Sequence, residues 1–176
     1  MDLLQAIAQR HSYRGKFTDT AVSRDDLRMI AQAGLDAPSA CNGQVASLVV
    51  VDDVPLVREI AAIVDKPVCW TAKAMIVCAV DPRPVFADLS FAAEDCAAAV
   101  ENMLLTITSL GYASVWLDGV LRREHRAARI AKLLGIPDRL TVRVLLPIGV
   151  PAEPVSGIEK LAFDRRAWFN RYGGEG

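Results

Sequence analysis

Several kinds of chemistry are missing from this sequence. Its four cysteines, Cys41, Cys69, Cys78 and Cys96, form no C-x-x-C pair. Cys78 lies in an apolar run and Cys96 in an alanine-rich one, the setting of buried, inert thiols. No stretch of 18 apolar residues occurs, so no membrane span is expected. No G-x-G-x-x-G follows a strand-like run, which removes a Rossmann nucleotide site. The net charge is only −1, with a pI near 6.1, so the basic footprint of a nucleic-acid binder is absent. No nucleophile–base pair or metal-ligand spacing stands out. Repeats, low-complexity segments and dividing linkers are lacking too, and the N-terminal stretch MDLLQAIAQRH is too short for a signal peptide. A reducing cytoplasm is the expected location.

What is present suits a folded chain of ordinary domain size. Of the 176 residues, 52% are hydrophobic and 23% charged, which argues against disorder. A single domain over residues 1–176 is expected, and a chain this long buries roughly 70% of its unfolded surface without staples.

Periodicity outlines the elements. Leu3, Leu4 and Ile7 give residues 2–10 one apolar helical face. Ser23 opens a second helix, with Asp26 three residues on as in a capping box, and Pro38 stops it. Residues 46–51 (ASLVVV) and 74–80 (AMIVCAV) read as apolar strands, with a helix over 55–64 between them that starts at Pro55. The longest helix is expected over about 88–110, with Ala97, Val100, Leu104, Ile107 and Leu110 as its stripe and Gly111 as its stop. Residues 113–117 read as a short strand, 122–134 as a helix and 141–149 as the last strong strand. Arg122, Arg123, Arg126, Arg129 and Lys132 are placed on a solvated face of that late helix. Residues 150–176 hold prolines, Lys160, Arg165 and Arg166, and the aromatic run Trp168-Phe169-Asn170-Arg171-Tyr172. A tail this aromatic must lie on its own core or on a second subunit. Helices and strands alternate without a βαβ rhythm, which favours a three-layer α+β domain with helices on a small sheet.

Two polar knots carry the binding chemistry. The first, Arg10-His11-Ser12-Tyr13-Arg14, offers two guanidinium groups, a hydroxyl and an imidazole just past a short helix. The second, Ala37-Pro38-Ser39-Ala40-Cys41-Asn42-Gly43-Gln44, offers a hydroxyl, two carboxamides and a flexible backbone. Together they suit a large anionic ligand rich in hydrogen-bonding groups, which would carry the chemistry while the protein binds it. On local grounds alone, Arg10 and Arg14 also fit plain surface residues, and Ser39 and Asn42 fit turn formers after Pro38.

The ordered series Arg10-His11-Ser12-Tyr13-Arg14…Phe17, Ala37-Pro38-Ser39…Asn42…Gln44, Glu101-Asn102-Met103-Leu104, Gly111 to Trp116, Gly135-Ile136-Pro137, Pro147-Ile148-Gly149 and Arg165 to Gly173 resembles the nitroreductase family of FMN-dependent oxidoreductases over nearly the whole chain. The resemblance implies a small, mostly antiparallel sheet flanked by helices, and a tail that extends onto the partner of a homodimer. It implies two FMN molecules at the subunit interface, electrons drawn from NAD(P)H, and small electron-poor acceptors such as nitroaromatics or quinones. By the same resemblance Arg10 and Ser12 bind the flavin phosphate, with His11 beside them, and Arg14 lies near the pyrimidine edge. Pro38, Ser39, Asn42 and Gln44 come from the other subunit. The backbone of Leu117, Asp118 and Gly119 faces the ring, and Arg165 and Arg166 add charge for the phosphate. No side chain acts as a catalytic group and no metal is implied. The chain departs from the family where Val45 and Ala46 follow Gln44, and where only a turn plus Val85-Phe86-Ala87 occupies a segment that longer members use as a lid, so a more open site is expected. Two alternatives stay open: a flavoprotein serving one metabolite or a partner protein, and a flavin-binding module without NAD(P)H turnover.

Overall fold

The computed structural model describes residues 1–174; the last two residues of the expected 150–176 tail lie outside them. The elements run α1 (Leu3–Gln9), α2 (Arg24–Leu35), β1 (Ala46–Val51), α3 (Val54–Val64), α4 (Pro67–Thr71), β2 (Ala74–Val80), α5 (Ala92–Ser109), α6 (Arg126–Leu134) and β3 (Thr141–Ile148). Short 3₁₀ turns occupy Ala40–Asn42 and Phe163–Arg165. The three strands form one antiparallel sheet in the order β1-β2-β3. The expected α+β architecture is present.

The sheet is the middle of three layers because its central strand is apolar on both faces. All seven residues of β2 are buried. Met75, Val77 and Ala79 point into one core with Val57, Ile60 and Val64 of α3 and Ile130 of α6. Ala74, Ile76, Cys78 and Val80 point into a second core with Leu27 and Ile30 of α2 and Val100, Met103 and Ile107 of α5. The two-residue period of a strand thus feeds two helical layers. In β3 a bulge opposite Cys78/Ala79 inserts Arg143, since Cys78 faces Val144 and Ala79 faces Val142. Without that extra residue Val142 would point to the same face as Val144; with it, Val142 joins the first core.

Caps set the helix starts. Ser23 accepts from the Asp26 amide at 3.1 Å, as expected, but the Asp26 carboxylate takes the Tyr112 hydroxyl at 2.7 Å instead of closing a capping box. The reciprocal box lies at α1: Asp2 accepts from the Gln5 amide at 2.9 Å while the Asp2 amide donates to the Gln5 side chain. The close approach of α2 to α5 depends on Gly34, where a β-carbon would come within 2.8 Å of Met103.

Four expectations are corrected. Residues 113–117 do not form a strand. They touch β3 only at two isolated bridges, Ala113 with Gly149 and Leu117 with Leu145. Midway between those bridges stands Pro147, which has no N–H to donate. The late helix starts at Arg126, not 122, because Glu124 and His125 adopt left-handed φ of 54° and 53°. Arg126 therefore leaves the solvated face: its Nε donates to the Ile63 carbonyl at 3.0 Å, and its side chain is only 15% exposed. The long helix begins at Ala92 after a turn in which the Leu89 amide donates to Phe86 O at 2.9 Å. The apolar face read for residues 2–10 is present, and it lies outside the chain's own core. Leu3, Leu4 and Ile7 are 66%, 77% and 51% exposed, and only Ala6 of that helix is buried.

Candidate functional site

The first knot leaves α1 in an extended path. Arg10 is the C-cap of α1, and its Nε lies 3.2 Å from Glu101 Oε1 on α5. Ser12 is exposed and bridges Ser114 in parallel, and the Tyr13 amide donates to Ser114 O at 2.9 Å. Tyr13 and Phe17 turn inward and pack against each other with ring centroids 5.3 Å apart, so the residues between and before them stay outside. Arg14 is exposed, and its Nη1 reaches only the Ser12 carbonyl, at 3.4 Å. His11 is packed against Gly157, where any side chain would overlap the imidazole. The imidazole thus packs on the start of the tail.

The bridge to Ser114 places this knot beside the stretch that leads to Leu117, Asp118 and Gly119. Leu117 exchanges both backbone hydrogen bonds with Leu145, which ties the loop to β3. The Asp118 carboxylate is gripped by Arg122, whose Nε and Nη2 donate at 2.7 and 2.6 Å. Arg143, the extra residue of the bulge, approaches the same carboxylate at 4.0 Å. The loop's negative charge is thereby compensated before any ligand arrives. Ser114 Oγ is buried with no hydrogen-bond partner among the described residues.

The second knot is anchored separately. Its Ala40 amide donates to Asp95 Oδ1 on α5 at 2.9 Å, and the Gln44 amide donates to Ser39 Oγ at 3.1 Å. Cys41, Asn42 and Gln44 hold left-handed φ of 49°, 53° and 48°. Each such residue costs on the order of 1 kcal/mol or more outside glycine, so the surroundings must over-determine this shape. Arg83 adds a clasp by donating to Gly43 O at 2.8 Å. Pro38, Asn42 and Gln44 are exposed and Ser39 half-buried. A cavity of about 190 Å³ beneath the loop is lined by Pro38, Ser39, Gln44, Asp95 and Ala99.

The two knots are anchored at different points of one helix. Their anchors on α5, Glu101 and Asp95, are six residues apart, which is roughly 120° around the helix axis and about 9 Å along it. Arg165 and Arg166 are exposed, on a tail whose aromatic residues pack on one another. Phe163 faces Phe169 at 6.0 Å, and Trp168 faces Tyr172 at 4.1 Å. Val155 still touches the first core, but Ile158, Leu161, Phe163, Phe169 and Tyr172 are 62–89% exposed.

Asp95 and Arg83 escaped the sequence reading. A lone carboxylate in the first turn of an alanine-rich helix was the available signal for Asp95, because burying it demands a donor. Nothing in the sequence singled out Arg83. Among the described residues, no group of three or more His, Cys, Asp or Glu is arranged to hold a metal, and no helix is long and apolar enough to cross a membrane.

Comparison with known proteins identifies the family and the fold. The family model described as "Nitroreductase family" matches residues 7–75 and 64–150. A protein of Archaeoglobus fulgidus, described as an NADH dehydrogenase/NAD(P)H nitroreductase, is 35% identical over 153 residues, covering 86% of this chain and 87% of its own length. A nitroreductase of Desulfovibrio desulfuricans, crystallised in complex with FMN, is 31% identical with a TM-score of 0.80, over 94% of this chain and 95% of that one. A nitroreductase family protein of Clostridium novyi is 28% identical with a TM-score of 0.76, covering 87% of each chain. The chain belongs to the nitroreductase family.

Proposed function

We propose that this protein is an FMN-dependent oxidoreductase that passes electrons from NAD(P)H through bound flavin to small electron-poor acceptors of the nitroaromatic or quinone type. The observation that carries this reading is the relative from Desulfovibrio desulfuricans, which binds FMN and shares 31% of its sequence and the fold over 94% of this chain. The residues present fit such a ligand. Arg10, Ser12 and Arg14 lie on one extended segment, and the guanidinium of Arg10 already holds one anion, the Glu101 carboxylate. An orphaned hydroxyl, Ser114 Oγ, lies directly behind Ser12 in the bridge.

In this reading Arg10 and Ser12 hold the FMN phosphate, and guanidinium–phosphate pairing supplies charge and direction. His11 holds the neighbouring tail in place. Arg14 puts positive charge at the pyrimidine edge, which favours the reduced cofactor and raises its potential. Leu117, Asp118 and Gly119 present main-chain groups to the ring, with the Asp118 charge neutralised by Arg122. When bound, the flavin supplies hydride acceptance and donation, so no side chain has to attack a substrate, and protons can come from water.

The cradle closes in a homodimer. Pro38, Ser39, Asn42 and Gln44 come from the second subunit, which suits two knots anchored on different sides of α5. The tail, with Arg165 and Arg166, crosses to the partner. Support for the pairing is the unburied apolar surface: Leu3, Leu4 and Ile7 of α1, and five large apolar residues of the tail from Ile158 to Tyr172. Residues 1–176 act as one FMN-binding unit, and four unpaired cysteines suit a reducing cytoplasm.

The test is the spectrum of the purified protein followed by anaerobic titration with NADH and then NADPH. A yellow protein whose flavin bleaches with either donor is expected. Flavin that resists both donors would sink the NAD(P)H part of the reading and leave a binding module or a metabolite-specific flavoprotein. A colourless protein that ignores added FMN would sink all of it.

A further inference from the structure

We propose that Asp95 is the positioning residue of the site: its carboxylate, buried at the start of α5, holds the Ser39–Gln44 loop in the shape that meets the flavin. This rests on the FMN reading above.

Asp95 is only 6% exposed although it lies in the first turn of a helix in an alanine-rich stretch. Oδ1 accepts the Ala40 amide at 2.9 Å, a contact that spans 55 residues of chain. Ala40 begins the 3₁₀ turn, and immediately after it the chain enters left-handed φ at Cys41 and Asn42, then again at Gln44. Conformations of that kind persist only when neighbouring groups hold them. Every other clasp on the loop is either local, as with Ser39 Oγ and the Gln44 amide, or on its outer side, as with Arg83 and Gly43 O. Asp95 is the tie from the core. The carboxylate is placed for it, since the first turn of a helix favours negative charge.

Oδ2 carries the second half of the argument. It is buried and has no hydrogen-bond partner among the described residues. A buried carboxylate oxygen without a donor opposes folding, so stability alone would favour an apolar residue at this position. Retaining the acid makes sense if the loop's geometry depends on it. The same side chain lines the cavity under Pro38, Ser39 and Gln44, the very residues assigned to the ligand. A shift in the Asp95–Ala40 contact would therefore move those residues as a group.

The experiment uses the purified full chain as wild type, Asp95→Asn, Asp95→Ala and Ala40→Pro. Ala40→Pro deletes the donor from the opposite partner, and Ser39, with φ −132° and ψ 151°, already has the extended backbone that a following proline requires. Two readouts are taken: FMN affinity, and the rate at which Cys41 is alkylated. Cys41 is the exposed cysteine, since Cys69, Cys78 and Cys96 are buried, so its labelling reports on this loop alone. Asp95→Ala and Ala40→Pro should bind FMN about tenfold to a hundredfold more weakly and label Cys41 faster, as expected for loss of a hydrogen bond to a charged acceptor. Asp95→Asn, which keeps an acceptor oxygen, should stay close to wild type in both. Wild-type labelling rates in Asp95→Ala would overturn the proposal, as would Asp95→Asn failing as badly as Asp95→Ala. If Asp95→Ala does not fold, Ala40→Pro decides in its place. Failure of the wild type to bind FMN would sink the cofactor reading while leaving the labelling comparison intact.

Discussion

Replacing Arg10 by alanine separates phosphate recognition from ring recognition. In the structure the guanidinium is 23% exposed and its one anionic partner among the described residues is Glu101, itself 48% exposed. An ion pair that open contributes little to folding, with a typical value of about 0–1 kcal/mol. The thermal midpoint of Arg10→Ala should therefore stay within a few degrees of wild type. Binding is different. A charge-assisted contact to a doubly charged phosphate is typically worth about 1.5–3 kcal/mol, which is about a 12-fold to 140-fold change in Kd. Riboflavin has the same ring and no phosphate, so its affinity should change by less than about threefold. Glu101→Gln supplies the opposing arm. Removing a carboxylate that already holds the arginine should tighten FMN and leave riboflavin unmoved. Flavin fluorescence quenching measures both ligands in the same titration format. An equal loss of FMN and riboflavin in Arg10→Ala would show that Arg10 does not touch the phosphate, and the layout of the first knot would have to be redrawn.

Three other outcomes are expected. A chain ending before Glu159 should sediment as a monomer and lose FMN affinity, because it lacks Leu161, Phe163, Phe169 and both Arg165 and Arg166; a stable dimer that still binds flavin would refute the crossing tail. Ile76→Ala removes a fully buried side chain from the central strand and should cost about 2–5 kcal/mol in urea denaturation, a smaller loss meaning that the sheet relaxes around the gap. Asp26→Asn probes pH dependence: the Tyr112 hydroxyl, and then Ser23, hold the Asp26 carboxyl below its ordinary value, so wild type gains stability that is present above the unfolded pKa of about 3.9 and lost as pH falls through the lower folded value. The gap between wild type and Asp26→Asn should then be visible in thermal melts at pH 7 and close below about pH 4; a gap that persists in acid would point to a neutral packing role.

Residues differ in how much of their structural role their own neighbourhood reveals. Strand β2 is legible because seven consecutive apolar residues can be satisfied only by cover on both faces, and the structure supplies two cores for them. The start of α2 is legible because Ser23 provides the oxygen that the first-turn amides need. Residues 113–117 mislead because their β-forming side chains reveal nothing of the partner strand, where Pro147 withholds a donor. The late helix misleads for a related reason. Arginine at 122 and 123 suits a helix well, yet Glu124 and His125 turn left-handed, a choice made by the packing of Arg126 on Ile63 and not by local preference. The five-residue α4 is too short to show a period at all.

The site follows the same division. Arg10, Ser12 and Arg14 stand out through the ordered series they share with the family, since on local grounds the arginines also fit plain surface residues. Asp95 does not, because its partner Ala40 is 55 residues away and carries no side-chain signal. The proposed dependence on a second chain has a physical root of its own. Leu3, Leu4 and Ile7 have the spacing of a buried helical face, and that spacing is identical whether the face is covered by the chain's own sheet or by another copy. Periodicity predicts burial and is silent on what does the burying. The structure shows that the chain's own core leaves this face outside, along with the apolar tail from Ile158 onward. Each fully exposed leucine or phenylalanine that becomes covered contributes about 1.5–3 kcal/mol. Several such residues on α1 and the tail therefore offer a second copy of the chain a face to cover, which is what the proposed pairing requires.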